Sequence, residues 1–464
     1  MSGHADVLGS EIRARLDHPV VDADGHMVEC EWLLEDYIRE IGGARLHEKW
    51  LNRPLTNGVT KGIWWGFPSG PHTADRMMSM LPKYFAARMD ECGIDFAHML
   101  TTIGLGAVEN RDDELRVTVC RSINTMFADM FRDVSDRLRP VAVIPTQTPE
   151  EAIAELEHAV LKLGFKAIMI ATEVRPPGEP FRSIAFDPPF DYDPFWRRCV
   201  ELGVAPMCHQ AHLGTQSRGS RSNYVFNHLG MFAAGAEFFC RSLFMGGVTR
   251  RFPDLNFALL EGGVAWAATL LNDIVEHFEK RNPEALLANL DPATLDVDLM
   301  CEIADKYGDA RFTSARLRQQ PHHSRGSKIG GSDPFDELAA CEMNDISDLR
   351  DLFYRNLYFG CEADDRMLAV AFNRKLSPLG VPLKAVFGSD IGHWDVIDAT
   401  SILAETYGLV DAGLITPNDF RDFTWTNPVS LHLRMNPDYF KGTVIEAEAE
   451  KLLPQITRSF TTAP

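Results

Sequence analysis

The chain has 464 residues, 45% hydrophobic and 24% charged, the composition of an ordinary globular protein rather than of a disordered or fibrous one. Its net charge of −20 is spread along the sequence, which speaks against a nucleic-acid partner, since phosphate backbones are met by basic patches. Nine cysteines are scattered without a CxxC pair, the N-terminus has no signal-peptide core, and no run approaches the ~20 apolar residues of a membrane span; free thiols, a cytoplasmic location and no membrane partner are expected.

The first apolar run, HPVVDAD (18–24), reads as a strand. Asp22, Asp24 and His26 follow one another at a spacing of two, so an extended chain points them to one side. Asp22 lies deepest and is expected to be a buried supporting group, and Glu29 falls beyond the strand. A long segment, 27–90, carries KGIWWGFPSGPH, where packing of the segment is the expected role of Trp64 and Trp65 and an aromatic lid is the alternative. Next comes the strand IDFAHMLT (94–101), with His98 read as structural. A helix around 112–134 leads to the strand at 139–145. In TPEEAIAELEHAVLKLG, Thr148 is a candidate N-cap, Pro149 takes the first helical position and Glu151 completes a capping box. Ile153, Leu156, Val160 and Leu163 recur at helical spacing, and Gly164 can close the helix. FKAIMIA (165–171) is the next strand, and this βαβ unit favours a parallel sheet.

The rhythm continues with a helix at 185–202, a strand at 204–208, a helix at 231–250, a strand at 255–260 and a helix at 264–281. A second long segment, 282–350, carries QQPHHSRGSKIGGSDP, whose His322 and His323 read as solvated. Strands at 355–360 and 384–389 complete the set. Eight strands in βα order predict an α/β fold, a distorted (β/α)8 TIM barrel forming one domain over 1–464. No GxGxxG follows the first strand, which weakens an open nucleotide-binding sheet. The segments at about 27–90 and 282–350 are then two long βα insertions at the C-terminal face, and their Gly, Pro and Ser content reads as irregular lid or cap.

The strand ends carry the chemistry. The first ends at Asp24 and His26, the fifth at His209, the sixth at Glu261 and the eighth at Asp390. In a barrel these ends share one mouth, and imidazoles with carboxylates gathered there suit a divalent metal. A single histidine after a strand is ordinarily a satisfied structural group, Asp24-Gly25 alone would make a turn, and Glu261 or Asp390 alone could cap a helix. Their joint placement is what points to a site. His212, His228 and His393 lie near these ends and are candidates to line the mouth or to act on substrate.

VDADGHMVE, MDECGIDFAHMLT, the stretch from Arg121 to Gly164 with Asn124 and DRLRPVAVIP, RRFPDLNFALLEGGVAW and FGSDIGHWD together resemble the amidohydrolase-2 branch of the amidohydrolase superfamily, from about residue 18 to about 435. That branch includes aminocarboxymuconate semialdehyde decarboxylase, γ-resorcylate decarboxylase and 5-carboxyvanillate decarboxylase. The resemblance implies a metal-dependent barrel with Asp24, His26, His209 and Asp390 as ligands and Asp390, His212, His228, Glu261 and His393 as candidate catalytic groups. Two positions depart from the family pattern: Asp24 stands where relatives use His or Glu, and Glu261 stands where the decarboxylases carry His. The implied cofactor is a divalent ion, zinc first, with manganese or iron as alternatives. The implied activity is nonoxidative decarboxylation of a small carboxylated substrate. Hydrolysis of an amide, lactone or ester, iron- or manganese-dependent oxygenation, and a structural subunit partnering an active paralogue are the alternatives. A homo-oligomer is implied as well.

Overall fold

The computed structural model describes residues 7–53, 62–174, 181–209, 218–319 and 336–458. Eight parallel strands form the central sheet: β1 (Val21–Met27), β2 (Phe96–Thr101), β3 (Leu138–Ile144), β4 (Ala167–Ile170), β5 (Pro206–Cys208), β6 (Phe257–Leu259), β7 (Leu357–Cys361) and β8 (Lys384–Phe387). They pair in sequence order, each with the next. The amide of Asp390 donates to the carbonyl of Asp24, and that of His26 to the carbonyl of Ile391, both at 2.9 Å, so the last strand returns to the first. The result is a (β/α)8 TIM barrel.

All eight predicted strands are present. They read as continuous apolar runs because a parallel barrel strand is covered by helices outside and by side chains inside; all residues of β1, β2 and β4 are buried. β1 runs three residues further than HPVVDAD indicates, since His26 still pairs with Leu100 of β2. Its register shifts between Asp22 and Gly25. That irregularity breaks the simple alternation and aims Asp22 differently from Asp24 and His26.

The return of β8 depends on small residues. A Cβ on Gly388 would lie 2.9 Å from the Asp24 Cβ, and one on Gly392, at φ 119°, would lie 2.7 Å from the carbonyl oxygen of His26. Side chains there would hold the end of β8 away from β1.

The helices are mostly where periodicity puts them. Asp112 caps Asp113–Met130 by accepting from the amide of Leu115, and within that helix Asn124 binds both the amide and the carbonyl of Val143 on β3. Thr148 caps Pro149–Glu157 as predicted, but the capping box does not form. Glu151 instead accepts from the amide of Gln147 and from Arg116, because the buried guanidinium of Arg116 is the stronger partner.

The two long segments are more helical than their Gly, Pro and Ser content indicates. The first contains helices Glu31–Leu51, Thr73–Met80 and Pro82–Cys92, and the second Pro283–Asn289, Val297–Tyr307 and Ser314–Gln319. In Glu31–Leu51 the apolar residues Leu34, Ile38, Leu46 and Trp50 face the core, while Gly43, at φ 74°, kinks the helix. Tertiary burial of that face outweighs the local breakers. His322 and His323 lie outside the described residues. All nine cysteines are free, and no helix among the described residues is long and apolar enough to cross a membrane.

Candidate metal centre

The C-terminal ends of four strands deliver one cluster. Asp24 and His26 come from β1, His209 follows β5, Glu261 follows β6 and Asp390 follows β8. His26 Nε2 lies 3.3 Å from Asp24 Oδ1, 3.6 Å from Asp390 Oδ1 and 3.2 Å from His209 Nε2. His209 Nε2 lies 3.9 Å from Asp24 Oδ1 and 2.7 Å from Glu261 Oε2. All five side chains are buried.

These groups crowd together without satisfying one another. Asp24 Oδ1, Glu261 Oε2 and both carboxylate oxygens of Asp390 have no aligned hydrogen-bond partner. Unsatisfied buried oxygens call for an explanation. A cation supplies one: donor atoms bound tetrahedrally at 2.0–2.1 Å stand about 3.3 Å apart, in the middle of the separations seen here. Burial pushes the Asp24, Glu261 and Asp390 carboxyls well above the usual range, and neighbouring carboxylates add to the shift. Burial pulls His26 well down and His209 to about 3, so both imidazoles are neutral. Neutral imidazole is the metal-binding form, and a divalent cation would return the carboxyls to their ionised state. The donor set therefore fits a divalent ion.

Backbone geometry marks two of these residues. Glu261 and Asp390 hold left-handed conformations, at φ 54° and 52°. Non-glycine residues adopt this region uncommonly, and such positions gather at functional sites.

Further groups surround the set. His393 Nδ1 approaches Asp390 Oδ1 at 2.6 Å, its Nε2 faces the Thr102 hydroxyl at 3.2 Å, and its ring lies against His26 at 3.9 Å, tilted by 30°. His228 lies within 4.8 Å of Glu261 and Asp395. Asp22 is not part of the set: its carboxylate accepts from the amide and hydroxyl of Ser389 and from the amide of Asp24. Glu29 accepts from the Thr101 hydroxyl and from the amides of Thr102 and Ile103, and burial pushes its carboxyl up to about 8. His212 falls outside the described residues.

Rings form a wall down to the cluster. Trp65 meets Tyr224 at 6.0 Å, Tyr224 stacks on His228 at 5.5 Å, His228 meets Phe232 at 5.8 Å, and Phe232 meets His209 at 5.2 Å. Trp64, 93% exposed, and Trp65 are thus surface groups at the mouth rather than packing for their own segment.

Two further acidic groups, Glu362 and Asp395, join the site beyond those that the sequence pattern singles out. Glu362 directly follows β7 and is largely buried; burial, with Asp395 next, pushes its carboxyl up to about 8, and it raises the Asp24, Glu261 and Asp390 carboxyls in turn. The run RNLYFGCE places it as NFALLE places Glu261, so the signal was present. Asp395 comes close only through the loop after Asp390 and carries no such signal.

A family model described as amidohydrolase matches residues 21–325, well over half of the chain. The match takes in Asp24, His26, His209 and Glu261 and ends before Asp390. Among solved structures, the chain is similar to an amidohydrolase from Mycobacterium avium subsp. paratuberculosis K-10, at 17% identity and a TM-score of 0.54, over 90% of this chain and 98% of that one. It is also similar to the 2,6-dihydroxybenzoate decarboxylase from Rhizobium, at 14% identity and a TM-score of 0.50, over 89% and 98%. At these identities the likeness concerns the fold.

Proposed function

The chain belongs to the amidohydrolase family, a group of metal-dependent enzymes, and from that premise we propose that it is a nonoxidative decarboxylase of a small acid with a flat, aromatic or enolic body. In this reading Asp24, His26, His209 and Asp390 hold the metal, and Glu261 completes or adjusts the set. Zinc is the first choice of ion, with manganese and iron as alternatives. When bound, the ion supplies Lewis acidity toward the substrate's oxygens.

The protein's own groups do the rest. A flat substrate stacks against the wall formed by Trp65, Tyr224, His228 and Phe232, with its carboxylate toward the donor set. The bond from carbon to the carboxylate breaks and its electron pair stays on carbon. Asp390, ionised at rest, would take up a proton relayed by His393 and pass it to the carbon, forming the new C–H bond as CO2 leaves. His393, between Asp390 and Thr102, is placed to resupply that proton. In this reading the segment bearing Trp65 closes the mouth and excludes water.

The ring wall ending on His209 is the observation that carries this reading, because it favours a planar substrate. The activity named for the Rhizobium neighbour indicates which compounds to try first, the hydroxybenzoates. Hydrolysis is the second reading: the unpartnered Asp390 Oδ2 could equally take a proton from water. Metal-loaded protein is to be incubated with hydroxybenzoates, enolic acids, lactones, esters and amides while CO2, acid release and O2 uptake are followed separately. CO2 release that disappears in Asp390→Asn supports decarboxylation. Acid release without CO2 moves the protein to the hydrolases, and O2 uptake moves it to the oxygenases.

A further inference from the structure

At the other end of the barrel, cations gather in a single cavity of ≈ 570 Å³ lined by Arg132, Arg139, Lys162, Lys166 and Lys441. Arg139 is the second residue of β3 and Lys166 immediately precedes β4, so the cavity opens at the N-terminal ends of the strands. The candidate metal centre occupies the C-terminal ends. Arg132 is paired with Asp129 at 2.6 Å. The other four make no ion pair among the described residues, in a chain whose net charge is −20.

Arg139 is the telling member. It is only 9% exposed, and its Nε has no hydrogen-bond partner. Its guanidinium lies over the rings of Tyr439, at 4.9 Å, and Phe96, at 5.6 Å. Ring faces replace part of the lost hydration, but a buried guanidinium without a carboxylate remains an uncompensated charge. Lys166 donates to the carbonyls of Asp438 and Tyr439, both at 3.2 Å, which holds its ammonium beside Arg139. Burial pulls the Lys166 ammonium down, the positive charge of Arg139 adds to the effect, and Asp438 and Glu446 offset part of it. An anion placed among these groups would relieve both.

We propose that this cavity binds a small, multiply charged oxyanion of the phosphate or polycarboxylate kind, with Arg139 supplying a planar fork and Lys162, Lys166 and Lys441 supplying point charges. Its volume suits a molecule of that size. The site is independent of the reaction proposed above.

The test is isothermal titration of the metal-loaded protein with inorganic phosphate and, separately, tricarballylate, at constant ionic strength in chloride. A saturable event is expected with at least one of them. Binding of phosphate alone identifies a phosphate compound, and binding of tricarballylate alone a polycarboxylate. Arg139→Gln should weaken binding roughly tenfold. The double variant Lys162→Ala/Lys441→Ala, at exposed positions that leave the core intact, should weaken it as well, while His209→Ala should leave it unchanged. No saturable event up to on the order of 10 mM, undiminished binding in the double lysine variant, or binding that disappears in His209→Ala would each overturn the proposal.

Discussion

His26 and His209, 183 positions apart in the chain, bring their Nε2 atoms to 3.2 Å. Both rings are buried and their pKa values are held down by that burial, and the same nitrogen of each faces carboxylates, Asp24 and Asp390 for His26 and Asp24 and Glu261 for His209. One nitrogen can donate to the other, but with neither protonated a shared cation would reconcile the two lone pairs. His209→Ala should therefore reduce metal content, measured by elemental analysis after purification without chelator. The expected fall is at least the roughly 10–100-fold in affinity that even the outer partners of a ligand contribute. Unchanged occupancy would remove His209 from the ligand set.

Asp390 occupies a left-handed backbone position at φ 52°, with one oxygen toward His26 and His393. Asp390→Asn retains the shape and removes the carboxylate that would take up and pass on a proton. Turnover of any substrate found should drop by about 10²–10⁴, the usual share of a proton-transfer group. A variant with kcat near that of the parent would assign proton transfer to another residue.

Asp22 illustrates how a polar residue beside a site can be purely supportive. It receives the amide and hydroxyl of Ser389 and the amide of Asp24, and so ties β1 to the end of β8. Asp22→Ala leaves buried donors unpaired and should cost about 1–3 kcal/mol of stability. Metal content under native conditions should remain near that of the parent. Denaturant titration measures the first effect and elemental analysis the second; loss of metal with unchanged stability would make Asp22 a ligand.

His98 carries a clear pH signature away from the candidate metal centre. Its Nδ1 faces the Asp22 carbonyl at 3.2 Å and its Nε2 the Tyr439 hydroxyl at 2.8 Å, and burial lowers its pKa to about 3. The unfolded chain takes up this proton near 6.5 and the folded chain only near 3, so the unfolded state binds more protons across that window. Stability due to His98 is present above pH 6.5 and is lost progressively as pH falls toward 3. The slope of unfolding free energy against pH between 6 and 4 should decrease by about one proton in His98→Asn. An identical slope in the variant would mean that His98 is protonated in the folded state.

The eight strands and their polar ends were legible because both depend on local pattern. An apolar run of four to seven residues bounded by turns marks a buried parallel strand, and a charged residue at its C-terminal end is visible in the same window. VVDADGHMVE, VAPMCHQAH, NFALLEGG and AVFGSDIGH all carry that mark. Glu362, at the end of RNLYFGCE, carries it too. The helix Glu31–Leu51 was obscured because Gly43 and the Gly- and Pro-rich run after it dominate the local composition.

By itself, then, the sequence determined the strand order, the barrel and the fact that imidazoles and carboxylates stand at strand ends, since each of these follows from spacing within a few residues. Only the tertiary structure decided which of them meet. The register shift in β1 separates Asp22 from Asp24 and His26. The close approach of Gly388 and Gly392 to β1 brings Asp390 within 3.6 Å of His26. The left-handed turn at Glu261 sets its carboxylate 2.7 Å from His209. Barrel closure is a long-range event, and distances across it depend on twist, register and backbone approach summed over strands far apart in the chain.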